Sequence, residues 1–220
     1  MDHGLWVFIH VMLLVYWLGG DLGVFLLARS AKRAELSVAE RLFALRMAVQ
    51  IDLIPRLCFA VMLPVGLQVT ASGGYAVIPS AVLLASWGFA LVWITLLIAM
   101  GRAEGSPRAA VLARANLALQ LLALLVIGYF GITAWLGLGP LPGGWYAAKI
   151  ILFALIFATS IGIDLAFRPV APAFIRLAQH GSEPGTEATI TGAIDAAIRW
   201  VLALYALLIV IAFLGITKAL

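Results

Sequence analysis

Cysteine occurs once in these 220 residues, at Cys58, and histidine only three times. The first count excludes an intramolecular disulfide framework and any cysteine-built metal site. Charge is scarce as well: 11% of residues are Asp, Glu, Lys or Arg, against roughly a quarter in soluble domains. No phosphate loop, dinucleotide fingerprint or serine-nucleophile motif is present. In place of polar surface there is hydrocarbon, with 65% hydrophobic residues and a mean hydropathy of +1.13.

Such a composition belongs in a bilayer, where about 20 consecutive apolar residues cross a core about 30 Å thick. Six such runs are expected as helices, at 4–28, 44–70, 77–100, 111–137, 145–167 and 196–217. They consume nearly the whole chain, which reads as one transmembrane domain (1–220), an all-α polytopic bundle in contact with the lipid bilayer. "SGGY" (72–75) and "GLGPLPGGWY" (137–146) supply short turns. The most polar stretch, 168–195, reads either as plain loop or as opening with a short interfacial helix around Ala173 to Gln179. Gly19 and Gly23, four apart, are expected to admit a close helix neighbour, and Pro55 and Pro64 to kink the second helix. Cys58, mid-helix in apolar surroundings, is expected to be inert packing.

The net charge of +4 reports topology rather than nucleic-acid binding. Eleven of the fourteen basic residues fall in or at the edges of the first, third and fifth loops. By the positive-inside rule those loops are cytoplasmic and both termini lie on the non-cytoplasmic side, with Lys218 a minor exception. The first helix lacks a basic leader and is too long for a secretory signal, so it is expected to persist in the mature chain. A bacterial inner membrane fits this pattern.

Ionisable residues inside a bilayer are costly and serve as functional-site candidates. At about 100° per residue, His3, His10, Trp17 and Asp21 share a stripe of the first helix. Asp52 and Arg56, four apart, share a face of the second. Lys149 and Asp164 lie near opposite ends of the fifth, with Ser160 on a similar face. Two layers are thus expected. The outer one holds His10 and Lys149; the inner one holds Asp21, Asp52, Arg56 and Asp164, with Asp21 pairing to Arg56. The inner layer suits either a structural ion-pair network or a proton or ion relay. Lys149 suits either a snorkelling cation beside Trp145 and Tyr146 or a site residue, and His10 either a packing histidine or a metal or haem ligand. Haem would need one or two axial ligands and an apolar slot, with Met62, Lys149 or water as second ligand, because His3 shares a helix with His10 and His180 lies on the opposite side. Copper is the competing metal, for which "MDH" at the start offers a weak site through His3.

"LWVFIHVMLLVYWLGGDLGVFLLAR" with its basic loop, "ERLFALRM", the proline-bearing second helix and "WYAAKIILFALIF" together resemble HemJ-type protoporphyrinogen oxidases and the related copper-resistance protein D membrane domains. The resemblance covers the first, second and fifth helices. It implies a haem b site in which His10 matches the family's haem-associated histidine and Lys149 its helix-borne lysine, with oxidation of a porphyrinogen or another donor feeding a quinone or an electron-transfer partner. On this reading Trp17 and Arg56 are further cofactor contacts and Lys149 the catalytic group, binding a propionate or an acidic substrate. Family members are shorter, and carry a second histidine where this chain reads "ALIFATSIGID". The other expectations are a copper or small-solute transporter with the two layers as stations, or a non-catalytic membrane subunit of a homo-oligomer or larger complex.

Overall fold

The computed structural model describes residues 2–103 and 105–219, and among these the chain is helical with no strand. Seven helices follow in order: α1 (His3–Ala31), α2 (Val38–Ser72), α3 (Ser80–Arg102), α4 (Ala109–Trp135), α5 (Trp145–Phe167), α6 (Val170–His180) and α7 (Pro184–Thr217). Six segments are long and apolar enough to span a membrane, so the chain is an all-α polytopic membrane bundle. The spans α1 to α5 and α7 form a ring in which each packs on its chain neighbour. α1 and α7 close the ring, touching each other far less than α1 touches α2 or α7 touches α5.

Two helices start a full turn or more before their apolar runs do. α2 begins at Val38 because "SVAE" is a capping box: the Ser37 side chain accepts from the Glu40 amide, and Glu40 reaches back to the Ser37 amide. α7 begins at Pro184, twelve residues before the apolar run, with proline in its first turn where no amide donor is needed. Its polar opening is held by packing. Thr186, Ile190, Ala193 and Ile194 of α7 are buried, and Ile190 and Ile194 join Val170, Phe174 and Leu177 of α6 in one apolar cluster with Ala28, Ala31 and Ala44. The polar stretch is therefore helical, in α6 and the opening of α7, rather than a plain loop.

α2 runs as one helix through both prolines, although each leaves a carbonyl four residues earlier without its donor. The close approach of α1 to α2 is made at Gly20 and not at Gly19: a Cβ on Gly20 would stand 2.9 Å from Pro55 Cγ and Cδ, whereas one on Gly19 would meet nothing within 4 Å. Gly23 faces Ile51 at ordinary contact distance.

The two ends of the bundle differ in chemistry. At one end His3 Nδ1 meets Ser72 Oγ at 3.0 Å, Tyr75 packs edge-on against Trp145, and Lys218 donates to the Tyr75 hydroxyl at 3.0 Å. Both described chain ends lie here, among aromatic rings of the kind that favour a membrane interface. At the other end Arg41, 1% exposed, gathers four helices. Its Nε donates to the Ala31 carbonyl at 2.9 Å, and its fork binds Glu187 at 2.7 and 2.8 Å. Its guanidinium also lies over the Phe174 ring. An ion pair from Lys32 to Asp195 ties α7 to the turn after α1.

Candidate functional site

The middle of the bundle is aromatic. Phe59 of α2 sits 4.7 Å from Trp17, 4.9 Å from Trp93 and 4.5 Å from Phe157, ring centre to ring centre, and Trp93 stacks on Phe157 at 5.5 Å. All four rings are buried. Trp17 is thus a core ring leaning on Phe59, and this layer separates two polar ones.

Beneath it a cavity of about 90 Å³ opens between α1, α2, α5 and α7, lined by Trp17, Asp21, Asp52, Arg56, Ser160 and Asp164 among apolar neighbours. Arg56 is its hub. The Nε donates to Asp52 Oδ2 at 2.5 Å one turn earlier on α2, and an NH2 donates across the bundle to Asp164 Oδ1 at 3.0 Å. The second oxygen of Asp164 accepts from Asn116 Nδ2 at 3.2 Å and Gln120 Nε2 at 3.1 Å, both on α4. Asn116 is itself held by the Trp93 indole, which donates to Oδ1 at 3.0 Å. One turn apart, the two amides share a helix face. That spacing was visible in the sequence, yet uncharged amides give no such warning as a buried charge does.

The expected inner layer is therefore assembled, with one correction. Asp21 makes no ion pair with Arg56, whose carboxylate partners are Asp52 and Asp164. It lines the same cavity from α1, and its Oδ2 is buried without a hydrogen-bond partner. The α2 and α5 acids reach the guanidinium first because Asp52 shares its helix face and Asp164 faces it directly.

Above the aromatic layer, His10 turns its ring onto α2. A Cβ on Gly66 would lie 3.4 Å from His10 Cε1 and 3.9 Å from Nδ1, so glycine leaves the ring room to lie on the helix. The His10 Nδ1 is buried and has no partner. Lys149 extends towards α7, where a Cβ on Gly215 would come within 2.7 Å of Nζ. Met62 is buried on α2 one turn below Gly66, in the core cluster. Glycine on each facing helix thus makes space for the two polar side chains, one at the α1/α2 contact and one at the α5/α7 contact.

The copper expectation at the start of the chain fares differently. Met1 lies outside the described residues, and the His3 Nδ1 is already engaged by Ser72. Among the described residues no three His, Cys, Asp or Glu side chains converge as a metal-binding group.

Comparison of the chain with protein-family models, with curated proteins and with solved structures gives no match.

Proposed function

We propose that this chain is an integral membrane redox protein that binds haem b in the half of the bundle holding His10 and Lys149. One observation carries the reading: a half-buried imidazole among apolar helices whose Nδ1 is shut from solvent and has no hydrogen-bond partner. A buried polar atom left unmatched costs about 1–3 kcal/mol, and a neutral imidazole is a common ligand to iron. The donor chemistry fits a haem. The 90 Å³ cavity on the other side of the aromatic layer is too small for one, since drug-sized ligands need roughly 300 Å³ or more, and this reading assigns the group to the outer pair.

His10 would hold the haem through its imidazole, and Lys149 would meet a propionate or an acidic substrate group by charge. When bound, the haem supplies one-electron chemistry to an electron donor and a quinone-like acceptor. The buried rings of Trp17, Phe59, Trp93 and Phe157 would set hydrocarbon between the site and the inner cavity. The same layer weighs against a solute path joining the two polar layers. Facing the basic end to the cytoplasm of a bacterial inner membrane puts His10 and Lys149 near the non-cytoplasmic face.

The test is an optical spectrum of the purified protein, expressed with ample haem, before and after dithionite. A Soret band with a reduced α band, lost in His10→Ala, is expected. A colourless wild type, or a His10→Ala protein with its full haem complement, overturns the assignment.

A further inference from the structure

At the basic end, α6 and the first turns of α7 pack on each other across the short connection 181–183. Between them lies a crevice of about 210 Å³, lined by Pro169, Pro172, Ala173 and Arg176 on one side and by Thr186 and Thr189 on the other. Its polar groups are free to donate. Thr186 is 7% exposed, and its hydroxyl has no hydrogen-bond partner among the described residues. Arg176 is exposed and takes part in no ion pair among the described residues. The first backbone bond of α7 runs from the Glu187 amide to the Glu183 carbonyl at 2.9 Å, so the amides before it stay open at the positive end of the helix. Thr189 is complementary: its hydroxyl donates to the Gly185 carbonyl at 2.8 Å and keeps lone pairs to accept with.

Charge, depth and shape then select the ligand. Glu187 is taken by Arg41 and Asp195 by Lys32, which leaves exposed Glu183 against Arg168, beside Pro169, and Arg176. The balance favours an anion. The 23 residues of α5, at 1.5 Å each, cross a core about 30 Å thick, and the crevice begins at Pro169, two residues beyond. It therefore opens at the level of lipid headgroups. At about 210 Å³ it falls short of the roughly 300 Å³ that encloses a drug-sized molecule, so it suits the head of a ligand whose bulk stays outside. The bulk has a place to go. Trp200 follows Thr189 by eleven residues, near the same angle of α7. Its ring lies against Gly162 of α5, where any Cβ would collide with it, and it is 43% exposed. The stripe that starts in the crevice thus continues along the α5/α7 contact to an indole open to lipid.

We propose that the α6/α7 crevice binds the headgroup of one anionic glycerophospholipid, of the phosphatidylglycerol type, from the leaflet at the basic end. Arg176 and the Thr186 hydroxyl donate to the phosphate oxygens, and Thr189 accepts from a headgroup hydroxyl. The acyl chains follow the α5/α7 contact past Trp200. Basic crevices at this membrane level attract anionic lipid in preference to zwitterionic lipid, whose ammonium faces the same arginines. The site is independent of the haem reading.

Native mass spectrometry of the full-length protein in detergent, titrated with phosphatidylglycerol or with phosphatidylcholine, tests this. One phosphatidylglycerol per chain should be retained, about tenfold tighter than phosphatidylcholine. Arg176→Gln should weaken it about tenfold and Thr186→Val about threefold, as loss of charge-assisted and neutral hydrogen bonds does. Arg108→Gln, at the same end but outside the crevice, should change it by less than about twofold. Equal affinity for the two lipids, or equal weakening by Arg108→Gln and Arg176→Gln, overturns the proposal in favour of a diffuse basic surface. Displacement of the lipid by millimolar inorganic phosphate overturns it in favour of a free anion. A dimer that Arg176→Gln dissociates, with no lipid bound, gives the crevice to a second copy and overturns it equally. Should Arg176→Gln not fold, Arg176→Lys keeps the charge without the planar fork and must weaken retention in part; unchanged retention in both Arg176→Lys and Thr186→Val overturns the proposal. Haem content does not enter the readout, so failure here and failure of the haem assignment are read separately.

Discussion

Arg56 and Asp164 join α2 to α5 across the bundle through a 3.0 Å ion pair in which each partner is further held: the arginine by Asp52, the aspartate by two carboxamides of α4. Four helices thus depend on one carboxylate, counting α3 through the Trp93 indole.

Asp164→Asn should therefore destabilise the protein well beyond one lost hydrogen bond. The new amide keeps one acceptor oxygen and must turn its NH2 either to Arg56 or to Asn116 and Gln120, which are donors themselves. Removing one partner of a buried pair costs about 3–5 kcal/mol, and the pair's side chains are about a quarter exposed (29% and 26%), so screening reduces this to about 1–3 kcal/mol. Equilibrium unfolding in mixed detergent micelles measures it.

The α1/α2 crossing predicts an asymmetric pair of glycine variants. Gly20→Ala drives a methyl into the Pro55 ring at 2.9 Å and should cost about 1–3 kcal/mol as an overpacking change. Gly19→Ala enters open space and should change stability by less than about 0.5 kcal/mol, as changes away from packed features do. Equal effects in the same unfolding assay would show that the helices do not cross there.

At the basic end, Arg41→Ala deletes a fork on Glu187, a bond to the Ala31 carbonyl and the packing on Phe174. A loss of about 2–4 kcal/mol is expected, since Glu187 keeps only Ser182 as partner. Arg41→Lys should recover only part of it, because an ammonium cannot reproduce the planar two-point contact. Faster proteolysis between α6 and α7 in the variants is the accompanying readout.

Gly66 offers a graded test of the His10 site. Gly66→Ala places a methyl 3.4 Å from the ring's Cε1, tight enough to tilt the imidazole without displacing it. The expected outcome is a haem protein with a shifted Soret or α band and its cofactor retained, whereas Gly66→Leu should lose the cofactor as His10→Ala does. Unaltered spectra in both variants would place the haem away from α2.

Much of this was legible before any coordinates, and the reasons are physical. Hydropathy places membrane helices well because the bilayer punishes every polar residue, so six spans and the two polar layers followed from counting. The start of α7 did not follow, since Glu187 and Asp195 lie in a region whose helicity comes from packing on α6 and from Arg41 and Lys32, far away in sequence. The start of α2 was readable in "SVAE", a local signal that hydropathy alone passes over. The pairing of Asp21 with Arg56 was expected from depth, but depth says nothing of azimuth around the bundle. Competition between three acids for one guanidinium is settled by which helix faces which. Asn116 and Gln120 carry no such signal, because an uncharged amide in a greasy helix has no evident role without the carboxylate it holds.

The amides of α4 also bear on how the bundle assembles. Membrane helices insert individually and then find one another without a hydrophobic drive, since lipid is as apolar as leucine. The α3–α4 hairpin is almost uniformly apolar and could dock at many rotations about its own axes. The Trp93 indole, Asn116 and the Gln120 amide nitrogen reach these partners at only one of them. A rotation of one residue, about 100°, would turn both amides into hydrocarbon and leave Asp164 with Arg56 alone. The trio acts as a key that orients the hairpin, so its loss should yield a protein that inserts normally but settles into several rotational isomers.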